Sequence, residues 1–152
     1  MPDKDLLYYI ALTMVPHIGD IQAKTLLKYF STPERIFKAK KSELEKINGI
    51  GKVRAASIHG FRDFRDAEAE LKFLEQYKIR VLIHGQAAYP TRLLHCYDSP
   101  FLLFFKGNAD LDHTKIISII GTRTPTDYGK ERVKEIVQAV SEYQPLIISG
   151  LA

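Results

Sequence analysis

Arg123 is the side chain in this sequence that is best placed, by its type and its neighbours, to bind an anion. It lies in the stretch KIISIIGTRTPTDYG (residues 115–129), where threonines at positions 122, 124 and 126 surround it. A guanidinium can hold a phosphate through two parallel hydrogen bonds, and hydroxyls and backbone amides can complete the shell. The pattern predicts a phosphate-binding loop; an exposed arginine in an ordinary turn is the alternative.

The residues around this loop predict a strand–turn–helix–strand unit. Residues 116–120 form a short β-branched run that is typical of a strand covered on both faces, and a glycine ends it. Apolar residues recur with helical spacing over residues 128–142, and residues 146–148 predict a second buried strand. In a parallel βαβ unit the loop lies at the carboxyl edge of the sheet, where a helix N-terminus and free amides attract anions.

The loop has one glycine, so it matches neither the dinucleotide-binding fingerprint nor the phosphate loop of nucleotide hydrolases. The chain of 152 residues carries a net charge of +4 with a pI near 9.1, which permits nucleic-acid binding without requiring it. One cysteine, Cys96, excludes an internal disulfide, and His84, His95 and His113 lack metal-ligand spacing. We therefore expect no metal and no cofactor.

The apolar runs are shorter than a membrane span, and the first residues do not have the pattern of a signal peptide. These features predict a cytoplasmic protein without a membrane partner.

A repeat in the first part of the sequence predicts two helix-hairpin-helix motifs. Gly19 and Ala23 recur thirty-two residues later as Gly51 and Ala55, with apolar residues at matching positions. Glycine lets the hairpin turn and approach a phosphate, and the small alanine lets the paired helices pack closely. The hairpins suit either DNA contact or a scaffold or protein-docking role.

If either hairpin touches DNA, the second copy is the better candidate, because its tip carries Lys52 and Arg54. The first copy offers Asp20 and only Lys24 at the corresponding place.

The intervening sequence predicts how the chain is divided. Helices are expected to start at a cap at Thr32 and at a Ser42-x-x-Glu45 capping box. A longer helix is expected over residues 61–77. Apolar runs at 79–83 and 101–105 predict strands that extend the sheet of residues 116–120, with Tyr89 packed in the core. The predicted class is α/β: a helical helix-hairpin-helix module at 1–77, followed by a partial Rossmann-like parallel sheet with flanking helices at 78–152.

Taken together, the motifs from residue 78 onward resemble the DNA-processing protein A family (DprA, also called Smf). The resemblance rests on Tyr89-Pro90-x-x-Leu93, Asp98-x-Pro100-x-Leu102, Lys106-Gly107-Asn108, Ile120-Gly121-Thr122-Arg123-x-x-Thr126-x-Tyr128-Gly129 and Ile148-Ser149-Gly150-Leu151-Ala152. It implies a non-catalytic protein with an extended Rossmann fold that binds single-stranded DNA, dimerises, and protects and delivers that strand to the RecA recombinase in natural transformation.

The resemblance also implies site residues. The family's G-[ST]-R motif falls on Gly121, Thr122 and Arg123, whose arginine is expected to contact the DNA backbone. Thr126, Ser149 and Gly150 join the expected DNA-binding set, with Lys106 and Lys115 widening the positive path. No residue is expected to be catalytic.

The sequence departs from the family at its end, because the family's last motif continues and this chain stops at Ala152. We therefore expect the front part of a longer protein, one that binds single strands weakly or not at all by itself and dimerises as the whole protein. A nucleotide-processing enzyme resembling the phosphoribohydrolases is the alternative function, although Asp127 is the only carboxylate in the loop.

Overall fold

The computed structural model describes residues 3–150, with side chains from residue 5 onward, and its contacts divide into two compact units after Lys106. The motif residues Leu151 and Ala152 lie outside the described part. The predicted domain boundary after residue 77 stays a prediction.

The first unit is mainly helical. Its helices are α1 (Asp3–Met14), α2 (Asp20–Phe30), α3 (Pro33–Lys38), α4 (Lys41–Leu44), α5 (Gly51–Gly60), α6 (Arg65–Gln76) and α7 (Thr91–Leu94), and its strands are β1 (Arg80–Ile83) and β2 (Leu102–Phe105). No helix of the described residues is both long and apolar enough to cross a bilayer.

The hydrophobic core of the described residues lies in this first unit. All of the buried apolar side chains fall between Tyr9 and Phe101, and every helix from α1 to α6 contributes at least one. Beside them lies an aromatic cluster, which comprises Tyr8, Phe37, Phe61 and Phe64. Tyr89 is also buried, and its hydroxyl donates to the Pro100 carbonyl oxygen at 2.6 Å, which confirms the predicted core position.

The first hairpin turns two residues earlier than its glycine suggested, and the second has left-handed backbone both there and at its glycine. His17 and Gly49 occupy equivalent positions of the repeat and share left-handed backbone, with φ of 68° and 84°. Gly51 is also left-handed at 62°, but Gly19 has an ordinary φ of −106°. The expectation that the glycine lets the hairpin backbone turn is therefore wrong for Gly19 and holds for Gly51. A histidine bears the backbone strain in the first copy.

Strands β1 and β2 do not extend the later sheet. They pair antiparallel with each other, from Arg80 opposite Phe105 to Ile83 opposite Leu102, and no described strand of the second unit joins them. The predicted single sheet is wrong because an apolar run identifies a strand without specifying its partner.

The predicted capping box at Ser42 is also wrong. Helix α4 begins at Lys41, which places Ser42 inside the helix, and its N-cap residue Lys40 makes no side-chain cap bond. Thr32 does precede α3, but its side chain likewise makes no cap bond, and Pro33 alone marks the helix start.

The second unit is the predicted βαβ arrangement. Strand β3 (Ile116–Ile119) leads to α8 (Asp127–Val140), a short 3-10 turn (Ser141–Tyr143) and β4 (Leu146–Ser149). Strands β3 and β4 pair in parallel, which confirms the short parallel sheet.

The strands of the second unit are less covered than predicted. No described residue of this unit is buried, and Ile148 is 47% exposed and Ile120 88% exposed. The expectation of strands buried on both faces is therefore wrong, because a two-stranded sheet with one helix has too few neighbouring elements to cover both faces.

Candidate nucleic-acid interface

The carboxyl ends of β3 and β4 form one edge, and the predicted phosphate loop lies along it. Ile119 is paired with Ser149, so the loop that follows β3 and the residues that end β4 leave the sheet on the same side. The structure therefore brings together the loop residues Gly121, Thr122, Arg123 and Thr126 with Ser149 and Gly150.

Arg123 lies in this loop with its side chain exposed to solvent. None of the ion pairs between residues of the described part includes it. The guanidinium is thus open to an incoming anion.

The threonines of the loop shape the backbone around Arg123. Thr122 Oγ1 accepts a hydrogen bond from the Thr124 amide at 3.3 Å, which tightens the turn. Thr126 is the N-cap of α8, and its Oγ1 accepts from the Gly129 amide at 3.1 Å. The hydroxyl hydrogen of Thr126 can still be donated, beside the positive end of the helix dipole.

An aromatic residue that is not among the predicted site residues lies beside the loop. Tyr128 in the first turn of α8 is 74% exposed, and the Arg132 guanidinium lies 5.4 Å from its ring centre. An exposed aromatic ring paired with a cation is the kind of platform on which unpaired bases stack. Its place in the family motif was the only sequence signal for this residue.

In the second hairpin, Arg54 joins the two hairpin turns. Its Nε donates to the His17 carbonyl oxygen and its Nη1 to the Gly49 carbonyl oxygen, both at 3.0 Å. These are the equivalent left-handed residues of the repeat, so one guanidinium holds both turns. Lys52, in the first turn of α5, is exposed.

In the first hairpin, the polar residues bind another segment of the same chain. Asp20 Oδ1 accepts from the Phe101 amide at 2.6 Å. The Lys24 ammonium donates to the Tyr97 carbonyl at 3.0 Å, the Ser99 carbonyl at 2.7 Å and the Ser99 hydroxyl at 3.1 Å. The N-terminal part of α2 is therefore a docking surface for residues 97–101.

Comparisons with known proteins assign two different family models to the earlier and later parts of the sequence. The family model described as DNA recombination-mediator protein A matches residues 80–152, and a helix-hairpin-helix motif model matches residues 9–70. Protein Smf of Synechocystis is 28% identical over an alignment of 158 residues that covers 100% of this chain. The DNA processing proteins DprA of Streptococcus pneumoniae and Bacillus subtilis are 39% and 42% identical, each over 42% of this chain.

Residues 80–152 match the DprA/Smf family. The chain spans 39% of the length of the Synechocystis protein and 22% of each of the other two relatives.

The two lysines that are expected to widen the positive path make other contacts in the structure. Lys115 precedes β3, at the amino edge of the sheet rather than the carboxyl edge, and its ammonium donates to the Tyr143 carbonyl at 3.3 Å. The expectation for Lys115 is therefore wrong. Lys106 belongs to the first unit, where its ammonium lies 5.6 Å from the Tyr77 ring centre, and its DNA-binding role stays a prediction.

The Arg54 contacts predict a structural role that can be measured. Arg54→Ala removes the donor shared by two carbonyl groups, so we expect it to lower the free energy of unfolding by about 1–2 kcal/mol. Lys52→Ala, two residues earlier, should change stability by less than about 0.5 kcal/mol. Urea unfolding followed by circular dichroism compares the two, and equal stability of both variants would contradict the clamp.

Proposed function

We propose that this chain is the single-stranded-DNA-binding part of a recombination mediator, with Arg123 as its principal phosphate contact. The observation that carries the proposal is the exposed guanidinium of Arg123 at the carboxyl edge of β3 and β4, just before the capped N-terminus of α8. The match of the recombination-mediator family model to residues 80–152 supports the same assignment.

The mechanism is electrostatic and independent of base sequence. Arg123 pairs with a phosphate oxygen, while the loop amides and the positive end of the α8 dipole stabilise the same charge. Backbone contacts of this kind position a strand without reading its bases, and Tyr128 offers a surface for stacking.

The glycines at this edge favour close approach of a ligand. A Cβ added at Gly121 or Gly150 would meet no atom within 4 Å, and neither residue has left-handed backbone. Packing therefore requires glycine at neither position. A phosphate has room to rest directly against the backbone at either glycine, so we include both, with Thr122 and Ser149, in the proposed site.

For the whole protein we extend the proposal to the partners implied by the family. A homodimer delivers the bound strand to the RecA recombinase in the cytoplasm, without catalysing a reaction itself. The DprA relatives are named as DNA processing proteins, which supports a role on DNA.

The nucleotide-processing alternative needs a general acid or base at the loop, and the geometry there offers poor support for one. Asp127 is 97% exposed on its side chain and pairs with Lys130 at 3.0 Å. A solvated carboxylate held by a lysine is a weak general base.

The proposal is tested by titrating a labelled oligo-dT with the wild-type chain and with Arg123→Ala at low ionic strength. Loss of one phosphate contact should weaken binding about tenfold and reduce the slope of log affinity against log salt by about 0.7. Arg62→Ala, which replaces another exposed arginine, is the matched control and should bind like the wild type.

The proposal would be overturned by equal affinities of the wild type and Arg123→Ala. Hydrolysis of a nucleoside monophosphate by the wild type and not by the variant would instead favour a nucleotide-processing enzyme.

A further inference from the structure

A cleft in the first unit lies between α2 and the loops that surround α7. Its volume is about 450 Å³, which is within the range of pockets that hold small ligands. The side chains that matter for its chemistry are Lys24, Lys28, His84, Leu94, Tyr97 and Phe101. None of these belongs to the phosphate loop or to the hairpin turns.

The charge of the cleft is positive. Two ammonium groups and an imidazole line it, and no carboxylate is among its lining residues. Burial lowers the pKa of His84, and the positive charges of Lys24 and Lys28 lower it further. The ring is therefore biased toward its neutral form, in which it can donate a hydrogen bond without adding another charge.

The two lysines have different roles. Lys24 is held by the three acceptors of Tyr97 and Ser99, so its charge is fixed in the wall. Lys28, one turn further along α2, is exposed and takes part in none of the ion pairs of the described residues. Lys28 is therefore the group that can reach an incoming anion.

Most of the other lining residues are apolar or aromatic. Phe101 is 1% exposed, Leu94 is 39% exposed and Tyr97 is 80% exposed. An aromatic ring so exposed gains little from folding, but it offers a flat face to a planar ligand. The hydrogen bonds that fix the backbone of residues 97–101 to α2 hold this wall in place before any ligand arrives.

We propose that this cleft is a second contact for single-stranded DNA and takes one nucleotide unit. The phosphate lies at Lys28, and the base stacks on Tyr97 with its edge against Leu94. An acidic peptide could pair with the lysines but would make no contact with the apolar lining residues or the Tyr97 ring. The observations therefore favour a nucleotide, which can do both. The identity of the ligand rests on the proposed function, while the cleft itself is independent of the Arg123 loop.

The test is a residue-resolved NMR titration of the isotope-labelled chain with a short oligo-dT. We expect chemical-shift changes at Lys28, His84 and Tyr97, in addition to any changes at Arg123 and Gly150. Changes confined to the Arg123 loop would overturn the proposal that the cleft binds single-stranded DNA and would still support the proposed function. Changes confined to the cleft would support this inference while the Arg123 loop failed.

Two variants, each with a control variant, and one other probe complete the test. Tyr97→Ala should weaken oligo-dT binding about tenfold and Tyr97→Phe much less, because stacking on an aromatic ring is what is lost. Lys28→Ala should lower the salt slope by about 0.7, unlike Lys72→Ala on the exposed face of α6. A hexaglutamate peptide should produce much smaller shifts; shifts as large as those with oligo-dT would overturn the nucleotide assignment.

Discussion

Phe37→Ala should destabilise the first unit more than any other substitution considered in this protein, by about 3–5 kcal/mol. Phe37 is 6% exposed and is the one buried ring of the aromatic cluster; it contacts the other three rings, as the half-buried Phe64 also does. Its ring centre lies 5.8 Å from that of Tyr8, 5.7 Å from that of Phe61 and 5.3 Å from that of Phe64. Truncation would leave a cavity where α1, α3 and the segment between α5 and α6 meet.

The matched control is Phe73→Ala, which makes the same chemical change on a ring that is 48% exposed. Phe73 contacts the Tyr77 ring at 4.5 Å, and its loss should cost no more than about 1.5 kcal/mol. Phe37→Leu, expected to lose less than the alanine variant, keeps the comparison measurable if Phe37→Ala does not fold. Similar losses in urea unfolding for Phe37→Ala and Phe73→Ala would contradict the central place of Phe37.

The parts of this fold that could be predicted from the sequence are those that local spacing determines. The strand–turn–helix–strand unit was predictable because residues 116–120 and 146–148 are β-branched runs and the segment between them has helical periodicity. The crossover connection then requires parallel pairing, which places the Arg123 loop at the carboxyl edge. The helix-hairpin-helix motifs were predictable for a different reason, since the same spacing of glycine, alanine and apolar residues occurs twice in the sequence.

The sequence could not show which distant groups meet. Strand β1 pairs with β2, which lies about twenty residues further along the chain. An apolar run predicts a strand but does not specify which other strand it pairs with. Arg54 was predicted at a DNA-facing tip, yet its two carbonyl acceptors include one that is 37 residues away. The sequence marks Lys24 only as a weaker candidate for DNA contact than the cations of the second copy, and its acceptors lie 73 and 75 residues along the chain. A lysine or arginine on a helix can donate hydrogen bonds to a phosphate or to carbonyl oxygens of its own chain, and the sequence does not distinguish the two.

Lys24→Met carries the second large expected effect, a loss of about 2–4 kcal/mol in the free energy of unfolding. Methionine keeps most of the apolar stem and removes the ammonium. The Ser99 hydroxyl and carbonyl then lose their donor, and Ser99 is 2% exposed, so water cannot easily replace the lost hydrogen bonds. The Tyr97 carbonyl loses its donor as well.

Lys28→Met is the natural control, because it makes the same change one turn along α2 at an exposed position and should alter stability by less than about 0.5 kcal/mol. A double-mutant cycle with Ser99→Ala then isolates the interaction, and Lys24→Met should cost less in that background because one acceptor is already absent. If the two methionine variants were equally stable, the ammonium would not anchor residues 97–99 to the first hairpin. If it does anchor them, the N-terminal part of α2 is a docking element for its own chain, and contact with DNA at the hairpin tips is left to the second copy and its exposed Lys52.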